Sequence, residues 1–193
     1  MKPDQRLPVV ALVCSHGGLN ALIHVLSPLR TDFPGAVIVL QHHSPTTESA
    51  LAQILGRNTT LPVSWAHDGA PLIPGRVIVA PPGSHTLVTG CRTIALIQSG
   101  ERPPYRPSAD LLLTTLALAM GPQAIAVVLS GYGVDGATGA TAIHRFGGQV
   151  IASDAATSEI FSMPEATITR DNAIDHVLAV REIAELLTEL ADQ

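Results

Sequence analysis

A hydroxyl, an imidazole and a carboxylate each stand just past an apolar run in this chain. Ser15 ends Pro8-Val9-Val10-Ala11-Leu12-Val13-Cys14, His42 with His43 beside it ends Leu40-Gln41, and Asp135 follows Ala124–Leu129. These are the parts of an activated serine nucleophile, in which a histidine takes the hydroxyl proton and an acid orients the histidine. Glycines follow the serine in His16-Gly17-Gly18, and a helical pattern opens after them. The N–H groups of such a helix start can stabilise an oxyanion, and glycine lets a substrate approach the backbone closely. A buried Cys14 beside Ser15 is the reserve nucleophile. Each residue alone has a plainer role: Ser15 as a helix cap, His42 as a turn residue, Asp135 as a helix-initiating carboxylate.

The elements that must position them alternate. Strand-like runs are Val9–Cys14, Ala36–Gln41, Val63–Ala66, Arg76–Ala80, Ala124–Leu129 and Gln149–Ser153. Helical patterns are Leu19–Leu29, Thr47–Leu55, Asp110–Ala119, Ala137–Phe146, Pro164–Thr169 and Ala179–Ala191, with Ser108 as the N-cap of the third. This predicts an α/β fold, a doubly wound, mostly parallel sheet with helices on both faces. Ser84–Leu87 and Arg92–Ile97 predict a β-hairpin laid on the main sheet. The proline-rich stretch Gln98–Pro107 predicts irregular structure. All 193 residues are expected to form one domain. Ligands of such sheets bind beyond the carboxyl ends of the strands, where Ser15, His42 and Asp135 all fall.

Composition narrows the function. The net charge is −5 and Lys2 is the only lysine, which argues against nucleic acid as a partner. No segment reaches the roughly 18 apolar residues of a membrane helix, and Asp4 and Pro8 interrupt any signal-peptide pattern, so a cytoplasmic, unprocessed chain is expected. Cys14 and Cys91 form no disulfide framework. The histidines include no HxH or HExxH pair, so no metal site is expected.

One rival motif is present. Gly131-x-Gly133-x-x-Gly136 follows a strand, opens a helix and precedes Asp154 by about 20 residues, the dinucleotide-binding pattern. Asp135 argues against it, because a carboxylate would then sit where a pyrophosphate should.

Several motifs in one order carry a resemblance. They are Ser15-His16-Gly17-Gly18, Gln41-His42, Leu72-Ile73-Pro74-Gly75, Val79–His85, Arg106-Pro107-Ser108-Ala109-Asp110, Leu129–Gly136 and Phe161–Ala166. The chain resembles, from about Val9 to Leu187, the catalytic domain of the CheB chemotaxis protein-glutamate methylesterases. The resemblance implies a Ser15–His42–Asp135 triad, selects His42 over His43, and needs no cofactor or metal. It implies hydrolysis of glutamate methyl esters on the cytoplasmic helices of chemoreceptors to glutamate and methanol; some members of the family also deamidate receptor glutamines. The backbone of His16, Gly17 and Gly18 and the region of Tyr132 would hold the oxyanion, with Arg106 lining the substrate. Arg102 is a further loop cation that could meet an acidic receptor face.

The departures lie around that site. Val13-Cys14 replace the family's usual Gly-Ala or Gly-Ser, His16 stands for Thr or Ala, and Tyr132 and Val134 stand for Met and a polar residue. They admit a second reading, a weakened or non-catalytic receptor-binding signalling module. The family usually carries an N-terminal receiver domain, whereas the first strand here begins at Val9. The expectation is a stand-alone paralogue or a piece of a longer protein, with any regulation supplied by a partner. Replacing Asp135 by Asn is expected to cost activity and to change stability little or even raise it.

Overall fold

The computed structural model describes residues 7–42, 49–98 and 107–192. Seven strands form one parallel sheet in the order β3-β4-β2-β1-β7-β8-β9. They are β1 (Val9–Cys14), β2 (Ala36–Gln41), β3 (Val63–Trp65), β4 (Val77–Val79), β7 (Ala124–Val128), β8 (Gln149–Ser153) and β9 (His176–Leu178). Helices α1 (Gly18–Leu26), α2 (Leu51–Asn58), α3 (Ala109–Met120), α4 (Ala137–Arg145), α5 (Ser162–Ile168) and α6 (Ile183–Asp192) cover it. The chain winds outward from β1 to β3 on one side, then returns to β7 on the other. The order therefore reverses between β1 and β7, where doubly wound folds bind their ligands.

The unbroken apolar strands reflect burial on both faces. Side chains alternate along a strand, so β1 is split between two cores. Val9, Ala11 and Val13 pack with Leu112, Leu116, Ala140 and Ile143 of α3 and α4. Val10, Leu12 and Cys14 pack with Leu22, Val25, Leu55, Ile183 and Leu187 on the opposite face. Helix α3 buries Leu112, Leu113, Leu116 and Ala117 completely, and Ser108 caps it by accepting from the Leu111 N–H.

The predicted strands β1, β2 and β8 have the observed limits, and several other elements shift. Helix α1 stops at Leu26 and not Leu29: Ser27 still has helical geometry, but Pro28 has no N–H with which to continue the helix. Helix α6 begins at Ile183 and not Ala179, since residues 179–182 form a turn in which the Glu182 carboxylate accepts from the Ala179 N–H at 3.2 Å. Strand β9 was not anticipated: it has only three residues, none buried, at the sheet edge. The hairpin forms as β5 (Ser84–Val88) and β6 (Ile94–Gln98), but it is a separate antiparallel sheet. It docks on α3, with the Val88 N–H donating to the Thr115 hydroxyl at 3.1 Å, while Val88 and Ile94 join the core on that side. Most of the proline-rich stretch, residues 99–106, lies outside the described residues, as does His43. Among the described residues, no helix is long and apolar enough to cross a membrane.

Candidate active site

Strand register brings Ser15 and His42 side by side. Cys14 pairs with Gln41, and the His42 N–H donates to the Cys14 carbonyl at 3.0 Å. Each residue is therefore the first beyond its paired strand end. The Ser15 N–H donates to the Ser130 carbonyl at 2.9 Å, which ties the serine to the end of β7 as well. Gly131 follows Ser130, and a Cβ there would lie 2.7 Å from the Ser15 Cβ. Only glycine lets the two turns approach so closely.

Asp135 reaches the histidine from the loop between β7 and α4. The His42 Nε2–H donates to Asp135 Oδ2 at 2.9 Å, with both side chains about nine-tenths buried. Asp135 accepts three further bonds: from the Ala109 N–H to Oδ2 at 2.8 Å, the Asp110 N–H to Oδ1 at 2.9 Å, and the Ser108 hydroxyl to Oδ1 at 3.1 Å. Burial alone would raise its pKa. The His42 bond, the Asp110 and Ala109 N–H groups and the charge of His42 outweigh that and hold it below the ordinary carboxylate value.

The turn after the serine is also fixed. The Ser130 hydroxyl donates to the His16 carbonyl at 3.2 Å and accepts from the Ile160 N–H at 2.8 Å. Gln41 Nε2 donates to the Ser15 carbonyl at 3.2 Å. The Gly18 N–H does so too, also at 3.2 Å, so it is spent within the turn and is not an oxyanion donor as the sequence suggested. The N–H groups of His16 and Gly17 remain for that role. Across the site, the Gly131 N–H bonds the Ile160 carbonyl and the Gly133 N–H bonds the Ser162 hydroxyl, which leaves the Tyr132 N–H between them. The His16 and Tyr132 rings meet with centroids 5.8 Å apart and planes tilted by 38°. Arg106 and Arg102 lie outside the described residues.

Two sequence readings are corrected here. The dinucleotide pattern fails because the start of α4 already holds an anion. The Gly136 and Gly139 N–H groups donate to Asp110 Oδ1 at 2.9 and 2.8 Å, the place a pyrophosphate would need. Asp154, the expected ribose acid, accepts instead from the Thr157 N–H in its own turn at 2.9 Å. Cys14 is fully buried, and burial pushes its thiol far up, so the thiolate needed for attack is not formed there. Asp110, Ser130 and Gln41 acquire site roles that sequence reasoning did not give them. Ser108 was anticipated only as a cap. Among the described residues, no group of three or more His, Cys, Asp or Glu side chains is placed to hold a metal ion.

A family model described as CheB methylesterase matches residues 10–187. The chain is 37% identical over 180 residues to protein-glutamate methylesterase/protein-glutamine glutaminase 4 of Myxococcus xanthus, covering 93% of this chain and 51% of that protein. It is 40% identical over 185 residues to protein-glutamate methylesterase/protein-glutamine glutaminase 2 of Anaeromyxobacter dehalogenans, covering 96% and 54%. The chain thus spans about half the length of these relatives. The crystal structure of the Thermotoga maritima CheB methylesterase catalytic domain superposes with a TM-score of 0.90 at 34% identity, covering 95% of this chain and 98% of that one.

Proposed function

The chain belongs to the CheB methylesterase family, and from that premise we propose that it is a serine esterase acting on glutamate methyl esters of chemoreceptor helices. Glutamine deamidation at the same positions would use the same acyl chemistry. The observation that carries the reading is the buried bond from His42 Nε2–H to Asp135, in register beside Ser15.

Ser15 Oγ attacks the ester carbonyl carbon while His42 removes its proton. Asp135 accepts from Nε2–H, and this tautomer directs the other ring nitrogen, Nδ1, to the proton-accepting role. That is the reverse of the usual assignment, in which Nδ1 faces the acid. The oxyanion lies between the N–H groups of His16 and Gly17 and that of Tyr132. Collapse of the tetrahedral adduct breaks the ester C–O bond, and methoxide takes the proton back from His42 to leave as methanol. Water then attacks the acyl-serine with His42 again as base. This releases the glutamate side chain and restores Ser15.

The substrate is a helical segment of a membrane receptor's cytoplasmic part, and the enzyme works in the cytoplasm. The 193 residues act as one catalytic domain, regulated by a partner chain or by a domain beyond this sequence. Incubation with a methylated receptor fragment tests the reading. Methanol release by the wild type, absent in Ser15→Ala, is the expected result. A folded wild-type protein that binds the fragment without releasing methanol would favour a signalling module instead.

A further inference from the structure

Asp135 and Asp110 exchange places between two helices. Asp135 immediately precedes Gly136, the N-cap of α4, yet its carboxylate accepts from the first N–H groups of α3, those of Ala109 and Asp110. Asp110 lies in the first turn of α3, yet its Oδ1 accepts from Gly136 and Gly139 of α4. An acid in a first turn ordinarily stabilises its own helix end. Here each helix start supplies the acceptor for the other.

The exchange demands close approach, and the sequence provides for it at Gly139. A Cβ on Gly139 would stand 2.5 Å from the Leu113 Cβ and 3.0 Å from the Asp110 carbonyl oxygen. The first turns of α3 and α4 are thereby locked in one register.

We propose that Asp110 is a positioning residue for the reaction: by tying the start of α4 to the start of α3, it holds the Asp135 carboxylate against Nε2 of His42. Both Asp135 oxygens are engaged. Oδ1 takes the Asp110 N–H and the Ser108 hydroxyl, and Oδ2 is shared between the Ala109 N–H and His42. Turning the carboxylate away from the imidazole breaks helix-end bonds as well. That restraint lasts only while residues 108–110 stay in register with residue 136, and the Asp110 side chain sets that register. The Asp110 carboxylate bonds the Gly136 and Gly139 N–H groups and neither Ser15 nor His42. The inference rests on the serine-esterase reading, since it assigns a role within that machinery.

The test measures the rate of Ser15 labelling by a fluorophosphonate across pH, in wild type, Asp110→Asn, Asp110→Ala and Asp110→Glu, with thermal melting beside it. Asp110→Asn keeps an acceptor oxygen for Gly136 and Gly139 and should stay within about threefold of wild type. Asp110→Ala should slow labelling by about 10- to 100-fold, the scale of a small misplacement of a catalytic group. The pH dependence of labelling should also differ from wild type, because the Asp135 carboxylate no longer faces Nε2 of His42 as it does there. Asp110→Glu retains the charge with a misplaced carboxylate and should show the same displacement, so the test survives if Asp110→Ala does not fold. Folded Ala and Glu variants with wild-type rates, or with slower rates and an unmoved pH profile, would overturn the proposal. A folded wild type that is never labelled at Ser15 would overturn the esterase reading itself, and with it this role.

Discussion

Asp135 meets His42 at Nε2, 2.9 Å away, and the same carboxylate oxygen takes the Ala109 N–H. Orientation of the imidazole and closure of a helix end are thus one arrangement. An asparagine cannot reproduce it. Both Asp135 oxygens accept from two donors, whereas an amide offers one oxygen and turns an NH2 toward the other pair. Asp135→Asn should therefore lose about 10⁴ in ester hydrolysis through the wrong His42 tautomer. It should also lose about 1–3 kcal/mol of stability at neutral pH from donors left facing donors. The sequence alone suggested little change in stability or even a gain. Denaturant melts at pH 7 beside methanol-release kinetics check both parts.

Ser15→Ala should fold normally and lose about 10⁴–10⁶ in the rate constant, since the serine acts as a unit with its base. Cys14 cannot take over. It is packed against α1, where a Cβ on Gly18 would fall 2.4 Å from its Sγ, and its thiol is held protonated by burial. Mass spectrometry after fluorophosphonate treatment should find the label on Ser15 in wild type and nowhere in the variant. Label on Cys14 would contradict this.

The parallel sheet was legible because fully buried strands read as short apolar runs cut off by glycine, proline or histidine, as in β1 and β2. The same rule fails at β9, where His176-Val177-Leu178 is half-exposed and too short to show a pattern. Ser15, His42 and Asp135 could be singled out because each follows an apolar run, and the strand register then sets the first two together. Asp110 was not legible. An aspartate in a first turn looks like a contribution to its own helix, and only the packing of α3 on α4 at Gly139 shows that its carboxylate serves another. The loss of Gly18 as an oxyanion donor depends likewise on how tightly the turn closes on the Ser15 carbonyl.

Titration of NAD into the wild type should produce no binding heat at millimolar concentration. The N–H groups of Gly136 and Gly139 are filled by Asp110, and a pyrophosphate would have to displace that carboxylate. Calorimetry showing saturable binding would reopen the dinucleotide reading.

His16 and Tyr132 are both exposed and lean together over the turns that bear Ser15 and the candidate oxyanion donors. Neither side chain holds the His42–Asp135 bond. His16→Thr should therefore change the rate constant by less than about tenfold, or about 1.4 kcal/mol of barrier. Tyr132→Met removes the aromatic partner and should alter the ranking of receptor peptides by kcat/KM more than it alters hydrolysis of a small activated ester. Equal effects on peptide and small ester would show that Tyr132 acts on the chemistry and not on recognition.

Acid should expose the contribution of Asp135 to the fold. Its folded pKa lies below the ordinary value of about 3.9, because bonds from His42, Asp110 and Ala109 outweigh the burial that alone would raise it. A carboxyl depressed in the folded state binds its proton more weakly there than in the unfolded chain. Its stabilisation is therefore complete above about pH 4 and disappears as pH falls through the folded value. Asp135→Asn has no such group to titrate. The variant should melt below wild type at pH 7, and the two melting temperatures should converge as pH falls below about 4. Calorimetric melts across that range measure the convergence. Parallel curves, with the gap at pH 7 preserved in acid, would mean that Asp135 is not held ionised by its His42 and helix-end donors.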